Sequence, residues 1–272
     1  MNEPAPVTEV NELQVDIDDP VCTITLNRPE TLNALTYPML GAFREAVDAA
    51  AADPRVVGIV VTGAGRGFCS GLDASVLQAT TEAGSSTRPA ASTDVPGLFT
   101  WLLRVPKPIV AAVNGVAAGG GFVLAAMSDL RIASTAAQFT TIFSKRGLIA
   151  EHGMTWLVPR LLGVGNALDL LWSSRKIGAE EAYRIGLVQQ VVEPDDLLAA
   201  CRRYVVDLAE NVSPASLADT KRLVYEGFGV TYPDALQEID RVQYAALDRV
   251  DAKEGAMALI EKRAPSFPRL GD

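Results

Sequence analysis

Gly65-Arg-Gly-Phe-Cys-Ser-Gly-Leu-Asp73 and, further along, Asn114-Gly-Val-Ala-Ala-Gly-Gly-Gly121 are the stretches on which the reading of the fold turns. Each follows a β-branched run, residues 56–62 for the first and 109–113 for the second, and each leads into a segment able to form a helix. A strand that turns through glycine into a helix N-terminus leaves backbone N–H groups without intrahelical partners. Two such turns side by side can hold one oxygen that becomes negative during a reaction, which is an oxyanion hole in outline.

Working outward, Val21-Cys-Thr-Ile-Thr-Leu26 alternates and reads as a strand. Residues 33–52 carry Leu35, Met39, Leu40, Phe43, Val47 and Ala50 at helical spacing, with Pro38 near the start, where proline is tolerated. Strand, helix, strand in that order predicts crossover connections and an α/β architecture. Residues 79–97 are small, polar and proline-bearing and read as a loop, either a surface insertion or a lid over a cleft. Beyond residue 155 the pattern is helical over 155–162, 165–172, 179–185, 214–225 and 233–262, interrupted by a strand-like 187–192. The expected division is therefore an α/β core over 1–200 and a helical region over 201–272; no internal repeat stands out.

Composition narrows the function. A chain of 272 residues fits one sizeable domain, and with 49% of them apolar it can bury a substantial core. A net charge of −9 argues against nucleic acid, which needs clustered Lys and Arg, but not against a substrate with a few phosphates. Cys22, Cys69 and Cys201 are odd in number and far apart, and His152 is the only histidine, so neither a disulfide framework nor a metal site is expected. The first ten residues lack the basic-then-apolar pattern of a signal peptide, and no apolar run reaches the roughly eighteen residues of a membrane span. A reduced, cytoplasmic protein with no membrane partner is the expectation.

Several motifs are absent. Gly63-Ala-Gly-Arg-Gly-Phe68 fails the dinucleotide pattern at its last position, no Gly-Lys-[Ser/Thr] exists for a P-loop, and Gly67-Phe-Cys-Ser-Gly71 is not a nucleophile elbow. Cys69 reads as a small buried side chain rather than a nucleophile.

The residues do resemble a known family. Leu26-Asn-Arg-Pro-Glu-Thr-Leu-Asn-Ala-Leu35, Gly67-Phe-Cys-Ser-Gly-Leu-Asp73, Lys107-Pro-Ile-Val-Ala-Ala-Val-Asn-Gly-Val-Ala-Ala-Gly-Gly-Gly121, Ala182-Tyr-Arg-Ile-Gly-Leu-Val188 and the ending from Glu254 to Phe267 are similar to the enoyl-CoA hydratase/isomerase (crotonase) superfamily. The resemblance implies a spiral of ββα turns, a C-terminal helical region that makes a homotrimer or hexamer, and an acyl-CoA thioester substrate, with coenzyme A as part of the substrate and no separate cofactor. It implies that the backbone N–H groups of Leu72 and Gly120 hold the thioester oxygen. Thr31 and Leu32 correspond to residues lining the CoA groove, and Ser70, Gly71 and Asp73 go with them as substrate-binding positions. Lys262 matches a lysine that reaches CoA phosphates from a neighbouring subunit, although it reads equally as an exposed helix lysine. Glu30 stands where some relatives carry a lysine.

The departures bear on the reaction. Hydratases of this family hold water between two glutamates, and the matching positions here are Val123 and Phe143, neither of which can transfer a proton. The segment from Arg146 to Gly163 instead resembles Δ3,Δ2-enoyl-CoA isomerases, whose single proton-shuttling glutamate aligns with Glu151. That resemblance implies isomerisation, with Glu151 taking a proton from C2 and returning it at C4. His152 beside it either assists Glu151 or begins a helix facing solvent. Atypical hydration, hydrolysis or decarboxylation on the same scaffold, and a non-catalytic acyl-CoA-binding subunit, remain as competing readings. Asp129 and Arg131 read as a structural salt link or turn.

Overall fold

Gly58–Gly63 (β3) is an almost unbroken apolar run whose six residues are all buried, so it belongs inside a sheet covered on both faces. The structure, a computed structural model, describes residues 12–83 and 96–271. In it β3 lies between Val21–Leu26 (β2) and Ile109–Val113 (β5), and Leu130–Ser134 (β7) and Gln190–Val192 (β10) continue the sheet, all parallel. Leu13–Asp18 (β1) closes the other edge antiparallel to β2; it buries only Leu13, and exposed acids suit an edge.

A second sheet runs Gly67–Cys69 (β4), Val116–Ala118 (β6), Gln138–Thr140 (β8) and Ile177–Gly178 (β9), the first three parallel. Each turn of the chain thus lays one strand in the first sheet and the next in the second. β3 and β4 lead to Ala74–Ala83 (α2), β5 and β6 to Gly120–Met127 (α3), and β7 and β8 toward Met154–Leu162 (α4). This is the expected α/β class, built as a ββα spiral. It is a structural repeat that the sequence does not display.

Tyr37–Ala52 (α1) starts later than residue 33, because Leu32 and Asn33 take left-handed φ values of 55° and 58° and Thr36 caps the helix by accepting from the Met39 N–H at 3.1 Å. Residues 79–83 of the expected loop are the last turns of α2, while 84–95 lie outside the described residues, as do 1–11. The strand expected over 187–192 shortens to β10.

Val164–Ser173 (α5) and Ala179–Arg184 (α6) complete the core side of the helical half, and Leu197–Asn211 (α7) packs on the first sheet. In α7, Leu197, Ala200, Cys201 and Val205 form one apolar cluster with Val21, Val60, Val110, Ala112 and Ile132. A boundary at 200 therefore falls inside a core helix. The outlying helices are Pro214–Gly227 (α8), Tyr232–Leu247 (α9) and Val250–Glu261 (α10), so the expected 233–262 helix is broken in two.

Asp129 and Arg131 are structural, but Arg131 reaches Asp129 only at its backbone carbonyl, from Nη2 at 3.4 Å, and not at its carboxylate. Asp129 accepts from Lys221 Nζ at 2.7 Å and Tyr225 Oη at 3.1 Å, which ties α8 to the core. Arg131 is 1% exposed and donates to the carbonyls of Leu187 (2.5 Å), Ser128 (2.7 Å) and Ala125 (3.2 Å). Arg131→Met keeps the volume and strands these acceptors, each costing about 1–3 kcal/mol when buried unpaired. We expect a stability loss of about 3 kcal/mol or more in urea titration; a loss below about 1 kcal/mol would show that water satisfies the carbonyls.

Candidate active site

β4 and β6 pair in parallel, Gly67 with Val116 and Cys69 with Ala117, so the two glycine turns leave the same end of the sheet. They touch. Gly71 has φ +98°, and a methyl group there would lie 2.9 Å from Ala118 O and 3.3 Å from Gly120 N. The peptides flanking Leu72 are pinned by Leu35 N–H to Gly71 O (2.7 Å) and Asp73 N–H to Leu35 O (2.9 Å), and Gly119 N–H donates to Thr140 O at 3.1 Å. Among the described residues, neither Leu72 N–H nor Gly120 N–H donates a hydrogen bond. Two unspent donors on abutting rigid turns are what an oxyanion acceptor requires.

Val123 is fully buried on α3 and Phe143 nearly so, and both belong to the main apolar core. Neither can take part in acid–base chemistry, so a two-carboxylate water site is missing at those positions.

Glu151 lies on the turn before α4, its side chain 37% exposed, so apolar walls do not enclose it within this chain. His152 Nε2 is 3.3 Å from Glu151 Oε2. The same imidazole accepts the Leu98 N–H at Nδ1, 3.2 Å away. Burial holds the imidazole below its ordinary pKa, and the Glu151 charge opposes that shift. Leu98 also reaches the oxyanion turn: its Cδ1 would lie 3.6 Å from a methyl on Gly120. One residue therefore links the two halves of the site.

The CoA-groove positions cluster on the loop before α1 and on the first glycine turn. Ser70 Oγ donates to Thr31 O (2.9 Å), Ser70 N–H to Leu32 O (2.9 Å). Asp73 accepts from Arg28 (2.9 Å) and from the Ser75 amide and hydroxyl, which with Arg28 hold its carboxyl below the usual carboxylate range. Buried Asn33 donates to Ala64 O (3.0 Å) and Gly67 O (2.7 Å), fastening the same loop to the first glycine turn. Glu30 is exposed, and Lys262 is an exposed left-handed residue ending α10. Cys69 is wholly buried, with its thiol pushed up to about 12 by burial.

Sequence reasoning missed Gly97, Leu98 and Arg28. Gly97 has φ +115°, and a methyl there would sit 3.1 Å from His152 Cα, so glycine is what admits this close approach. Pro96-Gly97 is a turn signal, but nothing local says which residue the turn meets. Also unforeseen is a cavity of about 800 Å³ beside Gly153, walled by Met127 and Trp156 and, from α8, by Tyr225 and the charged Asp219, Arg222 and Glu226.

A family model described as enoyl-CoA hydratase/isomerase matches residues 16–269. A probable enoyl-CoA hydratase of Rhodobacter capsulatus is 35% identical over 255 residues, covering 94% of this chain and 97% of the relative. The 1,2-epoxyphenylacetyl-CoA isomerase of Escherichia coli is 34% identical over 255 residues, covering 92% and 96%. The crystal structure of an enoyl-CoA hydratase from a Polaromonas species superposes with a TM-score of 0.85 at 31% identity, covering 94% of this chain and 99% of that one.

Proposed function

This chain belongs to the enoyl-CoA hydratase/isomerase family, and from that premise we propose that it is a Δ3,Δ2-enoyl-CoA isomerase with Glu151 as its proton shuttle. The observation that carries the choice of reaction is a single carboxylate, Glu151, on the turn joined through Leu98 to the oxyanion site, with apolar Val123 and Phe143 at the two hydratase positions. In this reading the thioester oxygen accepts from Leu72 and Gly120, each donor contributing about 3 kcal/mol in the transition state. Glu151 removes a C2 proton, the electron pair passes into the dienolate, and the protonated carboxyl returns the proton at C4 as the double bond moves to C2–C3. One base suffices, because the proton leaves and arrives on one face.

Thr31, Leu32, Ser70, Gly71 and Asp73 line the approach for coenzyme A in this scheme, with Lys262 of a neighbouring copy on its phosphates. The cavity walled by Met127 and Trp156 takes the acyl group. Leu236, Leu247, Val250, Leu259 and Ile260 stand exposed on α9 and α10, which supports assembly as a homotrimer or hexamer. Buried free cysteines accord with a reducing cytoplasmic setting, and among the described residues no helix is long and apolar enough to cross a membrane.

The test supplies hex-3-enoyl-CoA and hex-2-enoyl-CoA separately, in D2O, and resolves products by chromatography with mass detection. Conversion of the 3-enoyl to the 2-enoyl ester is expected. Water addition to the 2-enoyl ester as the faster reaction would overturn the isomerase reading, and tight binding without turnover would favour a silent acyl-CoA-binding subunit.

A further inference from the structure

His152 is the chain's only histidine, and it is held in an unusual way. Its backbone is left-handed, φ +55°, and is followed by Gly153 at φ +78°. Histidine, with Asn and Asp, is enriched in this region, so it is the contacts around His152 rather than its φ value that mark the position. Here the contacts are visible. Gly97 packs on the His152 backbone, and Leu98 N–H points at Nδ1, 3.2 Å away.

That last contact decides the tautomer. An amide N–H can only donate, so Nδ1 must carry a lone pair, and the proton of the neutral ring sits on Nε2. Nε2 in turn lies 3.3 Å from Glu151 Oε2. The two atoms stand at ion-pair distance without the alignment of a hydrogen bond, and catalytic contacts are often poorly aligned until substrate closes the site. Partial burial favours the neutral imidazole, so the donor is uncharged. An uncharged donor orients a carboxylate while suppressing its basicity less than an imidazolium would.

We propose that His152 is a positioning residue, its Nε2–H, fixed by Leu98, holding Oε2 of Glu151 so that Oε1 is presented to the substrate. The proposal rests on Glu151 being the proton shuttle. In the reaction Oε1 takes the C2 proton and later releases it to C4; His152 keeps its own proton throughout. The chain Gly120, Leu98, His152, Glu151 then couples the base to the oxyanion donors, so that one turn registers both halves of the site against the same thioester.

Two substitutions separate the imidazole's roles. Asn at 152 tolerates φ > 0 and places an acceptor where Nδ1 was, but it cannot reach Glu151. Gln places an amide N–H where Nε2 was. With hex-3-enoyl-CoA, His152→Asn is expected to lose roughly tenfold to a hundredfold in kcat, with KM and melting temperature near wild type, and His152→Gln to recover part of that loss. Glu151→Gln/His152→Asn should fall no further than Glu151→Gln alone. Independently of activity, untagged protein labelled with 15N-histidine has one pair of ring nitrogens; a protonated Nε2 and bare Nδ1 are expected at neutral pH. A proton on Nδ1, or wild-type kcat in His152→Asn while Glu151→Gln is inactive, overturns the positioning role alone. Activity surviving in Glu151→Gln overturns the shuttle, and this role with it.

Discussion

If Glu151 is the proton shuttle proposed above, Glu151→Gln is expected to lower kcat for isomerisation of a 3-enoyl-CoA by about 10³-fold, within the range that a positioned acid–base group supplies, and to leave stability unchanged. The amide has the shape of the carboxylate and can still accept from His152 Nε2–H, but it cannot take a proton at neutral pH. Nothing in the fold depends on the charge. The side chain is more than a third exposed, and the contact that starts α4, Met154 N–H to Glu151 O at 3.0 Å, is made by the backbone. Leu72 and Gly120 remain, so binding of the ester persists and KM moves little, which marks a loss confined to the chemical step. Deuterium incorporation at C2 of the recovered 3-enoyl ester in D2O is a second measurement, because it reads abstraction followed by solvent exchange of the carboxyl proton and return to C2. Incorporation at the wild-type rate in this variant would place the base elsewhere.

Gly121→Ala is expected to damage both folding and catalysis. A methyl group on Gly121 would lie 2.0 Å from Cys69 O and 2.7 Å from Cys69 C, backbone atoms at the end of β4. To clear them α3 must move away from β4 by an ångström or more. That separates the turn bearing Leu72 from the turn bearing Gly120. Overpacking of this kind costs about 3 kcal/mol or more when backbone must shift. Misplacing one of two oxyanion donors costs about 10²–10³ in kcat. Gly165→Ala, in a helix with nothing within 4 Å of the added methyl, is the control and should be stabilising by about 0.5–1 kcal/mol. Urea titration of the two variants checks the contrast; equal stabilities would mean that the α3–β4 contact yields without cost.

The division between what could be read along the chain and what could not follows the range of the forces involved. Strands β2, β3 and β5, the helical stretches of α4 and α5, and the two glycine turns were legible, since periodicity and turn chemistry act over a few residues. The absence of both hydratase carboxylates was legible too, because Val123 and Phe143 are chemically inert wherever the fold puts them. Even so, α1 began four residues later than its apolar spacing suggested: left-handed Leu32 and Asn33 and the Thr36 cap outweighed periodicity.

By itself, then, the sequence determined the α/β class and the family, and it named two candidate backbone donors and one candidate base. Tertiary structure alone decided who meets whom. The ββα spiral emerges only when alternate strands sort into two sheets. The Asp129 carboxylate finds Lys221 and Tyr225 on α8, while its neighbour Arg131 reaches only its backbone carbonyl. Above all, Leu98 comes to His152 across 54 positions, and that contact sets which imidazole nitrogen faces Glu151. A proton's place on a ring depends on the donors and acceptors around it, and those are assembled by packing between segments that local sequence does not relate.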